Sequence, residues 1–470
     1  MSPPDTIAAV ASAPGRGAVG VVRVSGPLVP QIAAAVLGAL PAARHARLSV
    51  FKDAQGVSLD QGIAIFFPAP ASYTGEHVLE FQGHGGTVVL DLVLKRLLEL
   101  GCRMARPGEF SERAFLNGKM DIAQAEAVAD LIDAGTAAAA RAALRSMQGE
   151  FSAHIANLTA EITALRLYVE AAIDFPDEEI DFLSDAKLRG RIDAIFAAFQ
   201  AITAAARQGA LLRQGFTVVI AGRPNAGKSS LLNRLAGGEV AIVADVPGTT
   251  RDVLRQHVHL DGLPVNLVDT AGLRHAVDEV EAEGVRRARS AIAHADRVLY
   301  VVDAGLAAGD ASGGDEQGSL AADLAQLPAG VPVTLVFNKI DLTGQQAQLV
   351  DERPGPGLGL AGDGARVPAQ VFLSAQTGGG LDLLRTHLQA SAGYLASESG
   401  ALSARRRHLD ALERARRHVQ RADEVLRSTS AFELFAEELR LAQLALGEIT
   451  GDFTSEDLLG KIFGSFCIGK

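Results

Sequence analysis

Four short stretches carry side chains and glycines suited to holding a nucleoside triphosphate. The first, GRPNAGKSS at 222–230, fits a G-x-x-x-x-G-K-[ST] phosphate loop. It follows the β-branched run FTVVIAG and opens the helix-forming SSLLNRLAG, so the backbone N–H groups of Asn225, Ala226, Gly227, Lys228 and Ser229 would face an anion at a helix N-terminus. Lys228 would bridge the β- and γ-phosphates, Ser230 closes the loop, and the Ser229 hydroxyl can ligate Mg²⁺. The second, ADVPGTTRD at 244–252, offers Ala244, Asp245, Val246, Pro247, Gly248, Thr249 and Thr250; one hydroxyl there, taken as Thr250, can reach Mg²⁺ and the γ-phosphate. The third, DTAG at 269–272, turns Asp269 toward the metal, carries Thr270 and Ala271, and leaves the Gly272 N–H for the γ-phosphate. The fourth, NKID at 338–341, selects the base. A carboxylate at Asp341, supported by Asn338 and Lys339, accepts from the N1–H and the 2-amino group of guanine, and adenine has neither donor. SAQ (Ser374, Ala375, Gln376) ends the next strand and supplies a backbone N–H for guanine O6. Together these motifs predict GTP rather than ATP.

Two local patterns point elsewhere or leave a gap. GRGAVG at 15–20 fits G-x-G-x-x-G, but a strand and turn follow it instead of a helix, so no dinucleotide site is expected. Leu273 stands where Ras-like proteins place a water-orienting glutamine, so hydrolysis needs another polar group. The acidic run Asp278, Glu279, Glu281 and Glu283 is the nearest source, although a solvated loop explains most of it.

The elements that must carry these motifs follow from periodicity. Residues 1–118 read as mixed α/β, with short strands VGVVRVSG, GIAIFF and HVLEFQG and a helix at 87–100. Residues 119–212 read as helical. From 213 to 380, buried strand runs alternate with helices, the pattern of a parallel sheet covered on both faces. Residues 381–470 return to helix, so the sheet domain reads as an insertion between two halves of a helical domain. The stretches 304–320 and 352–366, rich in small residues, read as surface excursions.

Composition narrows the class. A chain of 470 residues with 48% hydrophobic residues affords about three domains. The net charge of −11 argues against a general nucleic-acid coat, and the one basic stretch, 404–418, reads first as a solvated helix face. Two distant cysteines make neither a disulfide framework nor a metal motif. With no secretory leader and no uninterrupted apolar run of membrane length, a cytoplasmic protein without membrane association is expected.

PGRGAVGVVRVSG, ASYTGEHVLEFQGHGG, RPGEFSERAFLNGKMDIAQAEAVADLI, AAIDFPDEEID and the terminal CIGK, with the nucleotide motifs, resemble the tRNA wobble-uridine modification GTPases (MnmE, also called TrmE) over nearly the whole chain. The resemblance implies a multidomain α/β protein: an N-terminal α+β folate-binding and dimerisation domain, and a helical domain into which a Ras-like GTPase domain is inserted. It implies a GTP hydrolase, acting on an acid anhydride, that works on U34 of tRNA. A tetrahydrofolate derivative (5,10-methylene or 5-formyl) would supply one carbon. A homodimer would work with the FAD-dependent MnmG subunit in a heterotetramer, the FAD residing only in the partner. Carried over residue by residue, the folate site is Arg23, Glu80, Lys119 and Lys470, and the hydrolytic group is Glu281. A K⁺ would lie on Asn225 and on backbone oxygens of Ala244, Val246 and Thr249, ahead of Arg251, Arg255 and Arg274 as the source of positive charge. The tail helix DLLGKIFGSF would dock by its Phe and Leu face and deliver Cys467 and Lys470 to the one-carbon site; a buried inert thiol is the plainer fate for such a cysteine. The competing function is a ribosome-assembly or signalling switch, but the C-terminal half offers no GXXG-type RNA module.

Overall fold

The computed structural model describes residues 5–174, 186–237, 255–269, 290–305, 316–328, 330–354, 366–395, 400–428, 431–452 and 456–469. In chain order the first sheet and its helices are β1 (Ile7–Val10), β2 (Gly17–Ser25), α1 (Val29–Leu37), β3 (Arg47–Lys52), β4 (Ser58–Phe67), β5 (Val78–Gly85), α2 (Thr87–Glu99), β6 (Arg103–Met104) and α3 (Glu109–Leu116). The strands lie in the order β3-β4-β5-β2-β1-β6, antiparallel except for the parallel β1–β6 pair. One face packs on α1 and α2, whose apolar residues recur at helical spacing: Val29, Ile32, Ala33 and Val36, then Leu90, Val93 and Leu97. Phe51 and Phe81 meet edge to face at 5.3 Å within that core. The other face carries Ile7 and Ala9, which pack on Ala105, Phe110 and Tyr73.

Four helices follow: α4 (Ile122–Ile132), α5 (Ala137–Met147), α6 (Glu150–Asp174) and α7 (Ala186–Gln214). Leu188–Gln214 within α7 is, by length and composition, long and apolar enough to cross a membrane. Its Ile192, Ile195, Phe199 and Ala206 are buried within the protein, on one face of the helix.

The second sheet is built from β7 (Phe216–Gly222), α8 (Lys228–Ala236), β8 (Arg255–Leu260), β9 (Leu263–Asp269), β10 (Arg297–Asp303), α9 (Glu316–Ala325), β11 (Val333–Asn338), α10 (Ile340–Thr343), β12 (Gln348–Val350), β13 (Arg353–Pro354), β14 (Arg366–Val367), β15 (Ala369–Leu373) and α11 (Leu381–Ser391). Its order is β12-β15-β11-β10-β7-β9-β8. The five inner strands run parallel, and β12 and β8 close the edges antiparallel. Val218, Ile220, Leu299 and Val336 face one core, and Val219, Val298, Tyr300 and Leu335 the other, as expected of strands covered on both sides. Helix α11 belongs to this sheet: Leu381, Leu384 and Leu388 sit in its core. The sheet domain therefore extends past the expected boundary at 380, because an amphipathic helix does not announce which surface it covers. Part of each expected excursion is regular structure. Glu316–Ala325 is helical, and β13 pairs antiparallel with β14 at the base of the second.

The last helices are α12 (Arg406–Ser428), α13 (Phe432–Thr450) and α14 (Glu456–Gly464). By contact, the chain divides into two compact units. One comprises 1–129, 145–200 and 410–470, and the other 130–144 and 201–409. Helical segments thus fall in both units.

Candidate functional site

The phosphate loop sits between β7 and α8, and its backbone explains its sequence. Gly222 has φ 136°, and a Cβ there would lie 2.3 Å from the Val301 carbonyl oxygen. Gly227, at φ 95°, caps α8, and a Cβ would meet the Asn338 side chain at 2.2 Å. Asn225 holds a left-handed φ of 62°, a conformation asparagine tolerates better than most side chains. The Lys228 ammonium is buried and donates to the carbonyls of Gly222 (3.0 Å) and Arg223 (2.7 Å), so it lies folded across the loop it would share with a phosphate. Ser229 and Ser230, in the first turn of α8, are exposed.

The remaining described motifs converge because parallel strands end side by side. Asp269 closes β9 opposite Ile220 of β7 and is buried. Asn338 closes β11 between Asp303 and Leu373 of its neighbours. Its amide ties two loops together, donating to the Ala226 carbonyl (3.0 Å) and accepting from the Ala375 N–H (2.9 Å). Lys339, at φ 70°, reaches Asp303 at 2.6 Å. Asp341 is exposed in the first turn of α10, open to a base. Ser374 and Ala375 are buried, and Gln376 is exposed. The Ala375 N–H is taken by Asn338 and the Ser374 N–H by the Gly379 carbonyl, so of these three amides only that of Gln376 has no partner among the described residues. Ala244, Asp245, Val246, Pro247, Gly248, Thr249, Thr250, Thr270, Ala271, Gly272 and Glu281 lie outside the described residues, as does Lys470.

The N-terminal cluster is real geometry. Arg23 on β2 and Glu80 on β5 are direct cross-strand partners, and Nε donates to Oε1 at 2.9 Å. The Arg23 guanidinium stands 5.5 Å from the Tyr73 ring centre and 5.7 Å from that of Phe110. Gln82 donates to the second Glu80 oxygen. This half-buried combination of a charge pair and aromatic faces fits a flat heterocycle carrying both donors and acceptors. Lys119 donates to the Pro70 carbonyl at 3.1 Å, on the loop that also carries Tyr73.

The tail seals this cluster. Ile462, Phe463 and Phe466 are buried against Ile122, Ala125 and Ala129, with Phe463 packed on Phe115. The Gly108 N–H donates to the Cys467 carbonyl (3.3 Å), and the Gly469 carbonyl lies 3.5 Å from an Arg23 nitrogen. Gly469 takes φ 95°, and a Cβ there would lie 2.3 Å from the Val10 carbonyl oxygen. The Cys467 side chain is exposed.

Behind Gly108 lies an ion network that fixes α3. Buried Glu109 accepts from Arg103 (2.6 and 3.0 Å), from the Arg106 N–H (2.8 Å) and from Arg113 (3.2 Å). Burial pushes the Glu109 carboxyl upward, yet those donors outweigh it and hold the group below its ordinary value. Arg113 also grips Glu76 and Asp5.

Known proteins place the chain in a family. The family description "MnmE helical domain" matches residues 122–467, and "GTP-binding protein TrmE N-terminus" matches 6–119. The curated "tRNA modification GTPase MnmE" of Yersinia pseudotuberculosis serotype IB (strain PB1/+) is 57% identical over the full length of both chains. The chain belongs to the MnmE family. The MnmE of Sodalis glossinidius (strain morsitans) is likewise 57% identical over both full lengths. A solved structure, the G domain of the T. maritima FeoB iron transporter, is 27% identical with a TM-score of 0.24, covering 38% of this chain and 98% of that one. As an MnmE, the chain is a tRNA modification GTPase. Sequence reasoning missed Tyr73, Phe110 and Asp303. The first two stand inside motifs that mark the MnmE family, and Asp303 closes the run RVLYVVD, so a strand-end signal was present.

Proposed function

We propose that this chain is the GTP-hydrolysing subunit of the enzyme that modifies C5 of the wobble uridine, U34, in tRNA. A homodimer would take a one-carbon unit from tetrahydrofolate at Arg23, Glu80, Lys119 and Lys470, and act with the FAD-dependent MnmG subunit to form (carboxymethyl)aminomethyl-uridine. The observation that carries the reading is the tail lying on the Arg23–Glu80 cluster. A protein that merely switched on GTP would have no need of a second charged and aromatic cluster contacted by residues more than 350 positions downstream.

On the GTP side, the residues fit the missing groups where they are described. Ser229, with Thr250, would hold Mg²⁺, which supplies charge neutralisation between the phosphates. Asn225, with oxygens of Ala244, Val246 and Thr249, would hold K⁺. Glu281 would orient the water that attacks the γ-phosphorus as the bond to the bridging oxygen breaks and GDP leaves. Lys228 would leave its own loop carbonyls for the phosphate oxygens. At the one-carbon site, Glu80 accepts from a pterin N–H and NH₂ edge, Arg23 and Lys119 draw carboxylates, and Cys467 stands exposed beside them.

The test is nucleoside analysis of bulk tRNA from a strain lacking the gene, with and without plasmid-borne wild type. Loss of C5-modified wobble uridine, restored by the plasmid, is expected. An unchanged nucleoside profile would refute the proposal in favour of a switch acting on ribosomes or signalling.

A further inference from the structure

Arg234 lies in the last turn of α8, the helix whose N-terminus forms the phosphate cradle. A basic residue there would ordinarily serve its own helix carbonyls. Arg234 instead reaches the neighbouring loop: Nε donates to the Ala375 carbonyl at 3.2 Å, and a terminal nitrogen donates to the Gln376 carbonyl. The consequence follows from peptide planarity. The Ala375 carbonyl and the Gln376 N–H belong to one trans peptide unit and point in opposite directions, so holding the first aims the second.

The other N–H groups of that turn are spent. Ser374 donates to the Gly379 carbonyl, Ala375 to the Asn338 side chain, and Thr377 to the Ser374 hydroxyl at 3.1 Å. Gln376 alone in this turn keeps a donor without a partner among the described residues. Its neighbour Ala375 is bonded to Asn338, which closes β11 three residues before Asp341. We propose that Arg234 is a positioning residue for guanine, orienting the Gln376 N–H toward O6 and tying base recognition to the phosphate-binding helix.

This inference rests on the guanine-nucleotide reading, and the two fail separately. The full-length protein would be titrated with GDP, with IDP, which lacks the 2-amino group, and with 6-thioguanosine diphosphate, which keeps N1–H and the 2-amino group but carries the weaker acceptor sulfur in place of O6. Wild type should prefer GDP to both; equal binding of all three would refute the guanine reading itself. In Arg234→Ala the preference for GDP over the 6-thio analogue should shrink by up to about tenfold, roughly the worth of one well-aimed hydrogen bond. The preference for GDP over IDP, set by Asp341, should stay within about twofold. Arg234→Lys, which keeps one donor for one carbonyl, should give an intermediate O6 ratio, and it decides the matter if the alanine variant melts early. Retention of both preferences, or parallel loss of both, would overturn the assignment.

Discussion

Gly108→Ala should release the tail from the N-terminal sheet. Gly108 has φ 67°, and an added Cβ would sit 2.4 Å from the Phe463 carbonyl oxygen and 3.1 Å from its Cα. The left-handed backbone costs an alanine about 1–2 kcal/mol. Relieving contact with backbone that cannot rotate away costs about 1–3 kcal/mol more. Against this total of about 2–5 kcal/mol, the burial of Ile462, Phe463 and Phe466 contributes roughly 5–9 kcal/mol before the ordering of the tail is subtracted. The docked state should therefore survive but open far more often. Amide exchange read by mass spectrometry should be at least about 30-fold faster over 462–467, while β2 and β5 keep their protection. Wobble-uridine modification should fall with it, and GTP turnover per chain should stay near wild type. Unchanged protection of 462–467 would refute the docking argument, and equal loss across β2 and β5 would mean that the substitution unfolds the domain instead.

Other measurements address single contacts. Asp341→Asn should weaken GDP binding by about 10–100-fold, the worth of charge-assisted hydrogen bonds, and improve binding of the xanthine nucleotide, whose 2-carbonyl matches the new amide; an unaltered GDP/XDP ratio would remove Asp341 from base recognition. Burial pushes the Cys102 thiol up to about 12, whereas Cys467 is exposed, so iodoacetamide at pH 8 should label one cysteine in the folded chain and two in urea. Two labels on the folded chain would contradict the packing around Cys102. Glu109 and Asp5 both titrate below their ordinary values in the folded chain. Their stabilising contribution is therefore complete above the unfolded pKa, near pH 4–5, and is lost as pH falls through the depressed folded values. Urea midpoints should drop on acidification, and Glu109→Gln, which removes the buried carboxylate from Arg103, Arg106 and Arg113, should cost about 3–5 kcal/mol at pH 7 and flatten that pH dependence. A variant with the wild-type slope would exclude the network as its source.

The elements that carry the candidate nucleotide site were legible because a parallel sheet places the described motifs at the ends of runs of buried β-branched residues. FTVVIAG, VNLVD and VTLVFN mark β7, β9 and β11, and a proposed site residue follows or closes each run. The N-terminal site was legible only through family resemblance. Arg23 and Glu80 are 57 residues apart, and nothing local says that they pair; the register of β2 on β5 decides it. Arg234 escaped for a similar reason, since its partners are carbonyls of a turn 141 residues away and backbone acceptors leave no trace in residue type. The division of the helices between two units was hidden as well. Helical periodicity in α4, α5, α7 and α12 shows that one side is buried, not against which body, and each of these helices runs across a unit boundary.

The contact between Gly108 and Cys467 also bears on how the protein is made. Translation at about 5–20 residues per second needs roughly 20–70 s to pass from the first of these positions to the second. Throughout that interval the nascent N-terminal half presents Phe115, Ile122 and Ala125 without their cover, while the intervening nucleotide sheet emerges and can fold. Newly synthesised chains should thus pass through a half-built stage with an uncovered apolar surface, the kind of species that chaperones hold.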